Sequence, residues 1–292
     1  MRTRHFWLLI VLTGLAVACQ PAAQGYKDGG LDQHVKSKID FELYRDYMIV
    51  VRGSAGPLKG LNFLFDTGAS PSVLDPRVAG KLHLTTVPTD ISVLNGAVQG
   101  GTATVPSLQF GAVRRENIPV LVQDLSFLEK ALPIRIDGIV GLDVLGQDMF
   151  VIDYASREIR FGSSPSMADS IPFHMKEGLA IVDATVNHAQ VHLLMDTGAS
   201  SLILFEEMPV SGPKGAGAEP SSKTIGDFER RQVRSINLKL GATEFGHEAA
   251  FVVHNHRDAG HDFDGLMSPA ALGITRVAVD PGRGKLAFSR EP

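Results

Sequence analysis

Asp66-Thr67-Gly68-Ala69-Ser70 recurs in the same chain as Asp196-Thr197-Gly198-Ala199-Ser200. An apolar run precedes each copy, Leu61-Asn62-Phe63-Leu64-Phe65 and Val191-His192-Leu193-Leu194-Met195. Apolar residues also follow each, Val73-Leu74 and Leu202-Ile203-Leu204. Each copy therefore reads as a buried strand ending on a carboxylate in a tight Thr-Gly turn. Two such turns suggest a pair of aspartates facing each other across a pseudo-twofold axis and acting on water as an acid/base pair.

The register extends well past the pentapeptide. The copies are 196 − 66 = 130 residues apart, and the same step carries Gly96 to Gly226, Leu108 to Leu238 and Gly111 to Gly241. Further on, Asp137-Gly138-Ile139-Val140-Gly141 is echoed by Asp264-Gly265-Leu266-Met267-Ser268 at a step of 264 − 137 = 127, so the second copy has lost three residues in between. Each copy closes on a strand-like tail, Phe150 to Tyr154 with Ile159 to Phe161, and Val277 to Asp280 with Lys285 to Phe288. This is the signature of a duplicated domain.

The chemistry explains the motif. One carboxylate is a weak base at neutral pH, whereas two within hydrogen-bond reach share a proton and titrate at two separated apparent pKa values. The ionised member can activate a water while the protonated member donates to the carbonyl of a scissile amide, with no metal, cofactor or covalent intermediate. Asp66 and Asp196 are the candidate catalytic pair. Gly68 and Gly198 allow a sharp turn and a close approach. Thr67 and Thr197 can hydrogen-bond across the axis, and Ala69 and Ala199 fit a crowded loop. Asp137 and Asp264 read as turn acids, each preceding a glycine outside the motif.

The rest of the chain predicts mostly β structure. Tyr47 to Val51 and Gly60 to Phe65 form one hairpin around Gly53–Pro57. Leu179 to Val186 and Gln190 to Met195 form its counterpart around Asn187-His188. Asp75-Pro76 followed by Val78, Ala79 and Leu82 predicts a short helix, with Asp as N-cap and Pro at its first position. Its counterpart around Pro209 to Gly217 reads as an irregular loop. Leu142–Leu145 and Pro269–Leu272 are candidate short helices.

With these motifs in view, the chain resembles the retropepsin-like aspartic proteases. It is similar to the bacterial branch in which Asp-Thr-Gly-Ala is followed by Asp-Gly-Ile-Val-Gly-Leu, here Asp137 to Leu142. The resemblance covers residues 41–162 and, less cleanly, 173–290. It implies two tandem retropepsin-like β-barrel lobes, 41–162 and 173–292, joined by a linker at 163–172, with a cleft between them. It also implies an intramolecular dyad and an extended peptide substrate under flaps near Leu94–Thr104 and Thr224–Arg231. Asn95, Gly96 and Ala97 would serve in the first flap, and Gly226, Asp227 and Phe228 in the second. One chain supplies both aspartates, so a monomer suffices and a dimer stays open. There are two departures. Ser268 stands where the first lobe has Gly141, and the second flap is charged while the first is small and neutral.

Composition fits an exported globular protein. The chain has 292 residues, 44% of them hydrophobic, and a formal charge of −4. No basic stripe points to nucleic acid. Met1 to His5 is basic and Phe6 to Leu12 is an apolar core too short for a settled membrane span. Leu15-Ala16-Val17-Ala18-Cys19 resembles the lipobox of bacterial lipoproteins. By that resemblance Cys19, the sole cysteine, would be lipidated and become residue one once 1–18 is removed, with simple cleavage near Ala18 as the plainer alternative. Gln20 after it, by the same resemblance, favours the outer membrane. The polar stretch in 19–40 reads as a flexible tether, letting the body float roughly 25 Å from the bilayer.

Other readings are weaker. A duplicated fold with inert aspartates, serving as a periplasmic peptide-binding or scaffold protein, is the main alternative. His254, His256 and His261 could bind zinc, but a solvated loop accounts for them as well. Gly212 to Gly217 lacks the pattern of a phosphate-binding loop.

Overall fold

The computed structural model describes residues 7–8, 37–93, 96–162, 170–205, 232–253 and 263–290. Strands make up 60% of it and helices 7%, so the mostly β expectation holds. The first half contains β1 (Trp7–Leu8), β2 (Ser37–Tyr44), β3 (Met48–Ala55), β4 (Leu58–Phe65), β5 (Ala69–Ser70) and β6 (Val73–Leu74). Helix α1 (Pro76–Lys81) follows, then β7 (Val87–Val93), β8 (Gly96–Phe110), β9 (Val113–Val122), a 3-10 helix (Ser126–Lys130), β10 (Gly138–Val140), α2 (Leu142–Leu145), β11 (Phe150–Asp153) and β12 (Glu158–Phe161). The second half contains β13 (Ile171–Lys176), β14 (Leu179–Val186), β15 (Ala189–Met195), β16 (Leu202–Phe205), β17 (Gln232–Leu240), β18 (Thr243–Val253), β19 (Gly265–Met267), β20 (Arg276–Asp280) and β21 (Lys285–Ser289).

Local chemistry accounts for the turns between these strands. Arg45 and Asp46 both take positive φ in the β2–β3 hairpin, as do Asn187 and His188 between β14 and β15. Two successive left-handed residues match the right-handed twist of paired strands. Asp75 caps α1 with an extended backbone, its side chain accepting from the Arg77 amide at 2.9 Å, and Pro76 occupies the first turn. The expected helix at Pro269–Leu272 is instead a hydrogen-bonded turn, held by Leu272 N–H on Pro269 C=O at 3.2 Å and Ile274 N–H on Pro269 C=O at 3.0 Å. Ser268-Pro269 starts it correctly, but Gly273, at φ 63°, turns the chain away after one turn.

One pairing pattern occurs twice. In the first half β4 runs parallel to β10, with Phe63, Leu64 and Phe65 opposite Gly138, Ile139 and Val140, and β10 pairs antiparallel with β6. In the second half β15 runs parallel to β19, with Leu193, Leu194 and Met195 opposite Gly265, Leu266 and Met267, and β19 pairs antiparallel with β16. The inserted strand needs glycine at its start. A Cβ on Gly138 would lie 2.6 Å from the Phe63 ring, and one on Gly265 would lie 2.2 Å from the Ile203 carbonyl oxygen. Asp137 and Asp264, read as turn acids, tie down these entries. Asp137 accepts from the Asn62 amide at 3.0 Å and Asp264 from the His192 amide at 2.8 Å.

A third sheet joins the halves. Its strand order is β2, β12, β11, β20, β21, β13, antiparallel throughout. Val151 pairs with Ala278 at its centre, and these residues correspond by the 127-residue step. Asp153 and Arg276 reinforce the seam with an ion pair at 2.6 Å. Beneath it one apolar cluster runs through both halves and includes Phe65, Phe150, Phe161, Met195, Val277 and Val279. Phe65 and Phe150 meet edge to face with centroids 6.0 Å apart, a geometry that aromatic quadrupoles favour. Burying each such side chain contributes roughly 1.5–3 kcal/mol, so the seam between the halves is part of the core.

Candidate active site

β4 and β15 end on Phe65 and Met195, each fully buried. The next residue in each case is an aspartate. Its amide stays in register with the inserted strand, Asp66 N–H donating to Val140 C=O at 3.0 Å and Asp196 N–H to Met267 C=O at 2.9 Å. A hydrophobic strand thus delivers a carboxylate to the seam, and the parallel neighbour fixes where the strand stops.

The two threonines then lock the turns together. Thr67 N–H donates to Thr197 Oγ1 at 3.0 Å, and Thr197 N–H donates to Thr67 Oγ1 at 3.0 Å. Each hydroxyl passes its own proton across, Thr67 to the Met195 carbonyl at 2.6 Å and Thr197 to the Phe65 carbonyl at 3.2 Å. All four groups are buried, so each bond satisfies a donor or acceptor that water cannot reach.

This grip presses the turns against the opposite carboxylates. A Cβ on Gly68 would stand 2.7 Å from Asp196 Cγ, and one on Gly198 would stand 2.6 Å from Asp66 Oδ2. Glycine is required there for space. Each aspartate turns one oxygen to its own loop, Gly68 N–H donating to Asp66 Oδ1 and Gly198 N–H to Asp196 Oδ1, both at 2.8 Å. The Oδ2 atoms, also buried, have no hydrogen-bond partner among the described residues.

Both carboxyls have zero exposure. Burial pushes Asp66 up to about 6, against the lowering effect of the Gly68 amide. Asp196 is raised well above the usual range, by burial first and by the neighbouring Asp66 charge second. Two buried carboxylates this close favour a single shared proton.

The loops are backed differently in the two halves. Ser72 N–H donates to Asp143 Oδ2 at 2.8 Å and Ser72 Oγ to Asp143 Oδ1 at 2.7 Å, while Gly141 N–H donates to Ser72 Oγ at 3.0 Å. A Cβ on Gly141 would stand 2.1 Å from the Ala69 carbonyl oxygen. By the same register steps, Ser72, Gly141 and Asp143 correspond to Leu202, Ser268 and Ala270. There the Ser268 hydroxyl donates to the Ala199 carbonyl at 2.6 Å. Ser268 therefore supports its loop through a different bond from the one that Ser72 and Asp143 provide. The Ser72–Asp143 pair went unnoticed in the sequence; the three linked differences between the copies were its only signal.

The first motif also reaches across the seam through its fifth residue. Ser70 Oγ donates to the Glu177 carbonyl, in the turn before β14. The neighbouring Gly178, at φ 83°, would place a Cβ 2.3 Å from Ser70 Oγ. At the corresponding turn before β3 stands Tyr47, whose hydroxyl is buried beside Ser200 of the second motif. Burial raises its pKa to about 12, with Arg45 opposing, the Asp196 charge adding and the Ser200 hydroxyl opposing. Sequence reasoning did not find Tyr47, which reads there as an ordinary strand residue.

Ala69 and Ala199 are buried in their loops as expected. Gly96 and Ala97 begin β8 and pair with Val93 and Ser92 of β7, forming a hairpin beyond the first motif. Asn95, the second-flap residues Gly226, Asp227 and Phe228, the loop 209–217, Cys19, and His254, His256 and His261 lie outside the described residues.

Comparison with known proteins bears on the first half of the chain. Residues 51–144 match the family model described as aspartyl protease. The match takes in Asp66, β10 and Gly141 of the first half. No curated protein matches the chain.

Two outcomes follow from the geometry. Thr67→Val removes one hydroxyl that serves two bonds and leaves the buried Thr197 amide unpaired. Chemical denaturation should show a loss of roughly 2–4 kcal/mol, with Thr67→Ser close to wild type. The second concerns pH. A carboxyl with a raised folded pKa binds its proton more tightly in the folded chain, so stability falls as pH rises from the ordinary carboxylate value to about 6. Asp66→Asn and Asp196→Asn should therefore raise the melting temperature more at pH 7 than at pH 4. An equal effect at both pH values in differential scanning calorimetry would contradict the buried shared-proton pair.

Proposed function

We propose that the protein is an aspartic endopeptidase whose single site is formed by Asp66 and Asp196, within two lobes related by a pseudo-twofold axis. The observation that carries this is the reciprocal Thr67–Thr197 hydrogen bonding, which sets two buried carboxylates side by side with their Oδ2 atoms unengaged. In this reading the pair holds one proton and a water. The ionised carboxylate takes a proton from the water as it attacks the amide carbon, and the protonated one donates to the carbonyl oxygen. Burial serves the chemistry by keeping one carboxyl neutral near physiological pH. Thr67, Gly68, Thr197 and Gly198 position the pair without touching substrate. The substrate is an extended peptide or protein of the cell envelope, its backbone bonded to strand edges.

The leader motif at 1–18, Cys19 and the polar stretch after it support a lipid-anchored protein on the periplasmic face of the envelope, in the outer membrane. Mass spectrometry of the mature N-terminus should find an acylated Cys19; an unmodified chain starting at that residue or elsewhere would refute the anchor.

The test of the activity is cleavage of a mixed peptide library by the chain from residue 20 onward, from about pH 3.5 to about pH 7.5 to span the dyad titration. Asp66→Asn and Asp196→Asn should each lower kcat/KM by at least about a hundredfold, as loss of acid/base catalysis requires. Loss in one variant alone would break the shared dyad. A wild-type chain that binds peptides and cleaves none would establish the inert peptide-binding protein instead.

A further inference from the structure

The first catalytic loop rests on a carboxylate that the second does without. Asp143 accepts from both Ser72 groups, the amide at 2.8 Å and the hydroxyl at 2.7 Å, and Ser72 Oγ accepts the Gly141 amide at 3.0 Å. Gly141 in turn lies against Ala69, where a Cβ would stand 2.1 Å from the carbonyl oxygen. Ala69 N–H donates to Asp66 C=O at 3.2 Å, and Asp66 N–H donates to the carbonyl of Val140, next to Gly141, at 3.0 Å. A continuous path of bonds and contacts thus runs from Asp143 to the backbone of Asp66. The far end of the loop is held as well, since Ser72 C=O accepts the Leu121 amide of β9 at 2.9 Å.

The fold does not require this acid. The second half forms the same arrangement of β15, β16 and β19 with Leu202, Ser268 and Ala270 at the equivalent places. Leu202 is buried there, and Ser268 holds its loop through a hydroxyl bond. Asp143 instead carries a cost, because it is a desolvated carboxylate that no cation among the described residues offsets. Burial raises its pKa against the lowering effect of the Ser72 and Val144 donors. Exchanging a buried charged group for an apolar residue is often neutral or stabilising, so a charge placed behind only one of the two aspartates points to the site rather than to the scaffold.

We propose that Asp143 is a positioning residue for the reaction: acting through Ser72, Gly141 and Ala69, its charge holds the Asp66 loop against the seam and keeps water from the Asp66 carboxyl, while Asp196 has no such support. The consequence for catalysis rests on the endopeptidase reading, but the hold on Asp66 stands apart from it. Asp66 is thereby the fixed member of the pair.

The test uses the chain from residue 20 in three forms: wild type, Asp143→Asn, and a triple variant with Ser72→Leu, Gly141→Ser and Asp143→Ala that copies the second half into the first. Asparagine keeps the shape but offers one acceptor oxygen to two Ser72 donors. Carboxyl NMR with isotope-labelled aspartate follows the dyad without substrate, the Asp66 signal being assigned by its loss in Asp66→Asn. Wild type should titrate there at about 6. Both variants should unfold cooperatively near the wild-type denaturant midpoint. Their Asp66 titration should fall toward the ordinary carboxylate range, because a loosened loop admits water. The acidic limb of kcat/KM should move the same way, and kcat should drop by about tenfold or more with KM within about twofold, since misplacing a reacting group costs turnover rather than binding. An Asp66 titration that stays put in a folded variant would overturn the proposal whatever happens to kcat, because a merely structural role lowers activity at every pH without moving the titration. If the triple variant does not fold, Asp143→Asn decides by the same criterion. Failure of both to fold would make Asp143 part of the scaffold and overturn the proposal too. A titration that falls in the variants while even wild type cleaves no peptide would uphold the hold on Asp66 and sink the endopeptidase reading.

Discussion

The reciprocal bonding of Thr67 and Thr197 is the constraint on which the rest of the site depends. Each threonine hydroxyl accepts the opposite amide and donates to the carbonyl just before the opposite aspartate. Four buried polar groups are satisfied by two side chains, and neither turn can move without leaving a donor unpaired in a dry interior. The bonds also close the distance between the halves until only hydrogen fits at Gly68 and Gly198. The raised affinity of both carboxyls for a proton follows from that closeness and from the lack of water around them. Geometry and electrostatics thus have one cause.

The surrounding fold makes that grip stable. The parallel strands β10 and β19 stop β4 and β15 at the aspartates, and the sheet through β11 and β20 holds the halves in fixed register. A single apolar cluster lies beneath both. Sliding one half past the other would break strand pairing, separate Phe65 from Phe150 and unpair the threonines together. The two loops nonetheless differ behind their aspartates. The first rests on Ser72 and Asp143, whereas the second rests on Ser268. With Tyr47 on the Asp196 side and the Glu177 carbonyl on the other, the two carboxyls have unequal surroundings.

Much of this was legible beforehand. The apolar runs before each Asp, the glycine requirement, the α1 cap at Asp75 and the structural part played by Asp137 and Asp264 all follow from local sequence and from the register between copies. The turn at Pro269 was misread because its start signal is that of a helix, while Gly273 ends it after a single turn. Ser268 stood out as a departure, yet its meaning was hidden, since its partner is a carbonyl 69 residues away. Tyr47 was invisible for a similar reason, as nothing local distinguishes a tyrosine that feels the Asp196 charge of the other half.

The sequence by itself determined the repeated strand-to-turn unit, the pairing of the two motifs and the chemistry that two aspartates allow. Those depend on short-range periodicity and residue type, which a duplicated register makes readable. Only the tertiary structure decided how closely each carboxyl meets the glycine of the opposite loop, how Ser72 with Asp143 and Ser268 back the two turns, and that β1 lies between β5 and β7. Each of these is a contact between residues distant in the chain, and its energy depends on burial and donor geometry that exist only after the halves have packed.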